Sequence, residues 1–101
     1  MKLEYRHKVI KKPYEDVVKH SAVLYIKTSL GKTYKFKNVR LLGEDLGTTM
    51  YAERRQLQDV LDSVENYFDR GTISKEEMKY IRDHFDDLFF NKVLEFELIK
   101  E

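Results

Sequence analysis

The spacing of apolar residues changes along this chain, and that change limits the possible folds more than any other feature. Up to about residue 42, apolar and polar side chains alternate, which is the period of a strand with one buried face. From Leu57 onward, apolar residues recur every three or four positions, which is the period of an amphipathic helix. The alternation returns at residues 93–99. This order of patterns predicts an α+β domain with an antiparallel sheet.

Three or four strands are predicted, near residues 2–11, 21–29, 32–41 and 93–99. Gly31 lies between the second and third of these segments, where it can adopt the positive φ that a tight hairpin turn requires. Residues 13–20 are compatible with either a short helix or a strand. The strand order within the sheet depends on which of the two they form.

Two helices are predicted, near residues 50–70 and 75–90. Ser74 and Glu77 have the spacing of a capping box, and Ile73 and Met78 occupy the positions of the hydrophobic staple that accompanies it. Asn91 is expected to end the second helix. Because the connection is short, the helices should form an antiparallel αα-hairpin that covers one face of the sheet.

One domain, residues 1–101, is expected from the length of the chain. A chain of this length buries about two-thirds of the surface that it exposes when unfolded, which is enough for a single core. The predicted core combines inward faces of the later strands with the apolar stripes of both helices. Its members are Leu24, Ile26, Tyr34, Phe36, Leu57, Val60, Leu61, Val64, Phe68, Met78, Ile81, Phe85, Leu88, Phe89, Leu94, Phe96 and Leu98. In the first strand, Leu3, Tyr5, His7 and Val9 share one face.

Charge is divided unevenly along the sequence. Residues 1–40 contain eleven Lys and Arg against three acids, whereas residues 41–101 contain eight against fifteen, although the whole chain has a formal charge of only +1. Such asymmetry points to binding partners rather than to a fold. The basic and acidic parts can complement each other within one chain, between copies of the chain, or with other molecules.

The composition is typical of an ordered protein from a reducing compartment. Aromatic residues make up 13% of the chain, and the absence of cysteine excludes disulfides and thiolate metal sites. No apolar stretch approaches the roughly 20 residues of a membrane span, so we expect a cytoplasmic protein without membrane contact. The Lys-, Glu- and Tyr-rich sequence has the character of small accessory proteins from bacteria or phages.

Residue types used in catalysis and metal binding form no recognisable constellation. His7, His20 and His84 do not have the spacing of a metal site. The serines lie in no context that would activate a nucleophile, and there is no cysteine. We therefore expect no enzyme activity, no catalytic residue, no metal and no cofactor.

Two surfaces are candidate binding sites. The acidic surface follows the helical hairpin and would contact a protein partner; its residues are Asp59, Asp62, Glu65, Asp69, Asp83, Asp86 and Asp87. The basic surface lies on the strands and would bind nucleic acid through phosphate contacts and base stacking; its residues are Arg6, Lys8, Tyr25, Lys27, Lys35 and Lys37. Glu95 and Glu97 would neutralise this basic surface if they lay opposite Lys35 and Lys37.

The favoured function is a small non-enzymatic protein-interaction module with a basic N-terminal sheet and an acidic helical hairpin. Its partner would be an unidentified protein or a second copy of the chain. The alternative is a nucleic-acid-binding accessory protein that uses the Lys-rich face of the sheet.

Overall fold

A computed structural model describes residues 1–11, 16–28, 31–43, 50–67 and 73–95 of the chain. The strands are β1 (Lys2–Lys11), β2 (Val17–Lys27), β3 (Thr33–Gly43) and β4 (Val93–Glu95); the helices are α1 (Met50–Tyr67), α2 (Lys75–Asp83) and α3 (Phe85–Asn91). The fold is α+β, as the change in apolar spacing predicts. Phe68, Asp69, Phe96, Glu97 and Leu98 lie outside the described residues, so the predictions made for them are not addressed by the structure.

The four strands form one antiparallel sheet in the order β3-β2-β1-β4. β2 begins at Val17, ahead of the predicted start at residue 21, so residues 17–20 are strand rather than helix. Val17 and Val18 are β-branched and pair with Gly43 and Leu42 of β3, which extends the hairpin beyond its predicted bounds. In the strand order of the sheet, β1 lies between β2 and β4.

The turn between β2 and β3 has the geometry that the glycine predicted. Gly31 has φ of 81°, a conformation in which a Cβ would be strained. Its backbone N–H donates to the carbonyl of Thr28 at 3.0 Å, and the N–H of Thr28 donates to the carbonyl of Lys32 at 2.8 Å. The turn therefore fixes the register in which β2 meets β3.

The helical segment contains one more helix than predicted. The expected helix over residues 75–90 is interrupted at His84, which has φ of −107° and ψ of 30°. The N–H of His84 still donates to the carbonyl of Tyr80 at 3.0 Å, but its backbone angles depart from helical values, so α2 ends before α3 begins. Ion pairs from Arg82 to Asp62 and from Arg54 to Asp86 show that α2 and α3 run back along α1, as an αα-hairpin requires.

The start of α2 has the predicted cap. The Ser74 hydroxyl accepts a hydrogen bond from the Glu77 N–H at 3.2 Å, and the Glu77 carboxylate accepts one from the Ser74 N–H at 3.2 Å. Ile73 and Met78, the predicted staple residues, are both buried in the core. The predicted end at Asn91 is also found, because Lys92 adopts the left-handed conformation that ends the helix.

The core lies between the helices and one face of the sheet. Eleven of the predicted core residues are buried: Leu24, Ile26, Leu57, Val60, Leu61, Val64, Met78, Ile81, Leu88, Phe89 and Leu94. Tyr34, Phe36 and Phe85 are only partly buried and pack against the edge of this cluster. Leu3 and Tyr5 of β1 join it because β1 is central in the sheet, which brings its apolar face under the helices.

The sheet therefore has an inner face, which carries Leu24, and an outer face, which carries Tyr25. α1 packs on β2 and β3, and α3 packs on β1 and β4. Within the described part of the chain all three helices lie on the inner face, and none covers the outer face.

Candidate functional site

The outer face of the sheet collects most of the positive charge of the first forty residues. Antiparallel pairing puts the side chains of paired residues on the same face, so the strand register identifies the members of each face. The outer face carries seven cations, Lys2, Arg6, Lys8, Lys19, Lys27, Lys35 and Lys37, and two acids, Glu4 and Glu95. The six residues predicted for the basic surface all lie here.

The three long strands hold these cations on one face of the sheet. β2 and β3 are eleven residues each, so the face extends for about 36 Å along the strands. Lys35 and Lys37 follow one another along β3 at every second residue, with side chains about 6.6 Å apart along the strand direction. Such a row of cations on a rigid scaffold can follow an extended polyanion.

Tyr25 lies on this cationic surface, two residues before the end of β2. Its register partners are Glu4 in β1 and Lys35 in β3. The Arg6 guanidinium lies over the Tyr25 ring at 5.3 Å from its centroid, and the Lys35 ammonium lies at 6.0 Å. The ring therefore combines an apolar platform with two adjacent cations.

A shallow cavity opens beside this ring. It has a volume of about 270 Å³ and is lined by Lys2, Glu4, Arg6, Tyr25, Lys27 and Thr33. These residues come from neighbouring positions on β1, β2 and β3, so strand pairing alone assembles the cavity.

The sequence left open whether Glu95 lies opposite Lys35 and Lys37, and in the structure it does not. β4 pairs with β1 at the opposite edge of the sheet from β3, so Glu95 lies opposite Lys2 and forms an ion pair with it at 3.4 Å. Among the described residues, Lys8, Lys19, Lys27, Lys35 and Lys37 form no ion pair. The positive field of the outer face is therefore largely uncompensated.

The acidic residues of the helices differ from these lysines, because most of them form ion pairs with arginines of the same chain. Asp59 is paired with Arg40 at 3.1 Å and with Arg55 at 3.6 Å. Asp62 and Glu65 both contact Arg82 at 2.6 Å, which raises the pKa of that guanidinium.

At the start of the hairpin, Asp86 is paired with Arg54 at 2.7 Å. Asp83 and Asp87 form no ion pair in the part of the chain that the structure describes. Asp69 lies outside the described residues, so among the six described members of the predicted acidic surface these two carboxylates are the ones without an arginine partner.

The inner face carries a polar cluster that sequence reasoning missed. His20 Nδ1 lies 3.1 Å from His7 Nε2, which lies 3.0 Å from Gln56 Oε1. The Gln56 amide nitrogen donates to the carbonyls of His20 at 3.1 Å and Asn38 at 3.2 Å, so its oxygen faces His7. The cluster ties α1 to β1, β2 and β3. The alternation of His20 with buried Val18 and Ala22 was the available signal.

Burial and neighbouring charges alter the acid–base properties of this region. Burial lowers the pKa of His7, and the charges of His20 and Lys92 lower it further, while Glu53 and the hydrogen bond to Gln56 oppose them. Burial also raises the pKa of Tyr5, and the charge of Glu53 raises it further. The Tyr5 hydroxyl has no hydrogen-bond partner among the residues that the structure describes. Both shifts favour the neutral form of the side chain at physiological pH.

No group of three or more His, Cys, Asp or Glu side chains in the described ranges is placed to hold a metal ion. None of the described helices is both long and apolar enough to cross a bilayer. In comparisons with protein families, with curated proteins and with solved structures, the chain matches no family model, no curated protein and no solved structure.

Proposed function

We propose that the protein is a non-enzymatic binding module and that its ligand is single-stranded nucleic acid, held on the outer face of the sheet. The observation that carries this proposal is the uncompensated row of lysines around Tyr25. A positively charged surface with an aromatic ring suits a single strand, because phosphates contact the cations and bases stack on the ring. A cytoplasmic location, expected from the absence of cysteine, would give it access to such ligands.

The shape of the surface favours a single strand over a duplex. Sequence readers of duplex DNA place a helix or a two-stranded ribbon in the major groove. Here the cations lie on three paired strands of a broad sheet, and Tyr25 is on the central of these three. A flexible strand can lie along this sheet and bring a base to the ring, whereas a duplex keeps its bases stacked inside.

The acidic helices are the less favoured surface. Arginines of the same chain already contact Asp59, Asp62, Glu65 and Asp86, so a basic partner would have to displace them. A second copy of the chain remains an alternative partner, because Phe90 and Asp87 are exposed and Asp83 is partly exposed on α2 and α3, and they could meet the basic face of another molecule.

The test is a fluorescence anisotropy titration of a labelled single-stranded oligonucleotide of about ten nucleotides. We expect binding with a dissociation constant on the order of micromolar at low salt. If about five cations contact phosphates, the logarithm of the affinity should fall with the logarithm of salt concentration with a slope of about −3.5. Absence of binding at low salt would contradict the proposal.

Two variants locate the interface. Lys35→Gln with Lys37→Gln should weaken binding about tenfold and reduce the salt slope by about 1.4. Tyr25→Leu should weaken binding about fivefold at unchanged salt slope, because it removes stacking but no charge. The matched control is Lys75→Gln with Lys79→Gln on exposed positions of α2, which changes the net charge equally and should leave binding nearly unchanged. Association of the protein alone that is relieved by salt would instead support a second copy as the partner.

A further inference from the structure

The cavity beside Tyr25 contains a carboxylate that phosphate binding does not explain. Glu4 lies directly opposite Tyr25 in the register of β1 and β2. Its Oε1 atom accepts hydrogen bonds from Arg6 Nη2 at 3.1 Å and from Arg6 Nε at 3.3 Å. Its Oε2 atom forms no hydrogen bond within the described residues. One carboxylate oxygen is thus held in place while the other stays available to a ligand.

Arg6 links this carboxylate to the aromatic ring. Its guanidinium contacts Glu4 on one side and lies over Tyr25 on the other. A base that stacks on the ring or on the guanidinium plane would present its edge to the groups around it. The cavity volume of about 270 Å³ falls just below the range of about 300–1,000 Å³ for sites of drug-sized ligands, which suits a single base.

We propose that this cavity holds one base of the bound strand and prefers cytosine to thymine, with Glu4 as the discriminating residue. The inference rests on the proposed nucleic-acid-binding function. An ionised carboxylate only accepts hydrogen bonds. Cytosine offers an N4 amino donor at the position where thymine offers an O4 acceptor, so the carboxylate attracts the first and repels the second. Lys2, Lys27 and Thr33, which line the same cavity, suit the adjoining phosphate.

The experiment compares oligo-dC with oligo-dT of equal length, about ten nucleotides, at a slightly alkaline pH that keeps oligo-dC single-stranded. Both are pyrimidine polymers, so the bases have similar size, and cytosine has an amino group where thymine has a carbonyl oxygen. The protein should bind oligo-dC about fivefold more tightly than oligo-dT. Glu4→Gln should remove the preference, because the amide can present either a donor or an acceptor.

Glu95→Gln is the matched control, since Glu95 is the other acid of the outer face and lies outside the cavity. It should raise the affinity for both oligonucleotides by the same factor and preserve their ratio. Equal binding of the two oligonucleotides by the unmodified protein would overturn the base preference and leave nucleic-acid binding intact. A preference that survives Glu4→Gln, or that disappears in Glu95→Gln, would overturn the role of Glu4. If neither oligonucleotide bound, the proposed function itself would fail.

Discussion

His7 shows how a single buried residue makes the stability of the fold depend on pH. Its folded pKa is lowered chiefly by burial, whereas the unfolded chain has the ordinary value of about 6.5. Below that value the unfolded state binds more protons than the folded state. The contribution of His7 to the free energy of unfolding is therefore fully present above about pH 6.5, and it falls as the pH drops toward the folded pKa. The slope for this one group is at most about 1.4 kcal/mol per pH unit.

The measurement is the free energy of unfolding by urea at a series of pH values. His7→Gln removes the titrating group while its amide can still donate to Gln56, so the acid-side slope should decrease by the contribution of His7. An unchanged slope in this variant would show that other groups cause the loss of stability.

For single residues, the sequence predicted which face of the sheet a side chain occupies better than it predicted which side chains it contacts. The alternation in β1 and β2 indicates that His7 faces inward, but the approach of His7 to His20 depends on the exact register of the two strands. Tyr5 shows the same limit. Its position on the inward face is readable from the sequence, whereas the burial of its hydroxyl without a partner among the described residues depends on tertiary packing.

Among the secondary-structure elements, helix α2 gives a testable prediction, because Ser74 caps its start. Ser74→Ala removes the hydroxyl that accepts from the Glu77 N–H and should lower the free energy of unfolding by about 1 kcal/mol. Ser63→Ala is a suitable control, because the exposed Ser63 hydroxyl only bonds back to the carbonyl of Asp59 within α1. That control should be neutral or slightly stabilising. Equal losses in chemical denaturation of the two variants would contradict a capping role.

Elements were predictable where a local signal marked their ends. Gly31 marked the turn between β2 and β3, and the capping box marked the start of α2. The start of β2 at Val17 and the break at His84 have no such signal. The first depends on pairing with β3, and the second is a local departure of the His84 backbone from helical angles.

For the whole molecule, the lysines of β3 have a second consequence, because β3 is an edge strand. Its outer face continues from Lys35 and Lys37 to Val39 and Leu41, which are 45% and 68% exposed. Lysines on an edge strand oppose pairing with other chains. Lys35→Val with Lys37→Val should therefore aggregate, detectable by light scattering, whereas the Gln pair should stay dispersed. Equal scattering from both pairs would exclude this protective role.

Strand order is the part of the architecture that the sequence left open, and the site depends on it. The lysines and Tyr25 could be assigned to one face from alternation alone. The placement of Glu95 beside Lys2 could not, because it requires β4 to pair with β1 rather than with β3. Which cations of the outer face stay unpaired thus follows from a long-range pairing that no local pattern encodes.

The position of β1 between β2 and β4 also bears on how the protein is made. β4 follows every other described element in the chain, so during synthesis one edge of β1 stays open until residues 93–95 emerge. At typical translation rates, the interval between the end of β3 and the appearance of β4 lasts about 3 to 10 s. An open edge is a template for pairing with neighbouring chains. Strand order, rather than the stability of the finished fold, therefore sets the period in which a nascent chain needs protection.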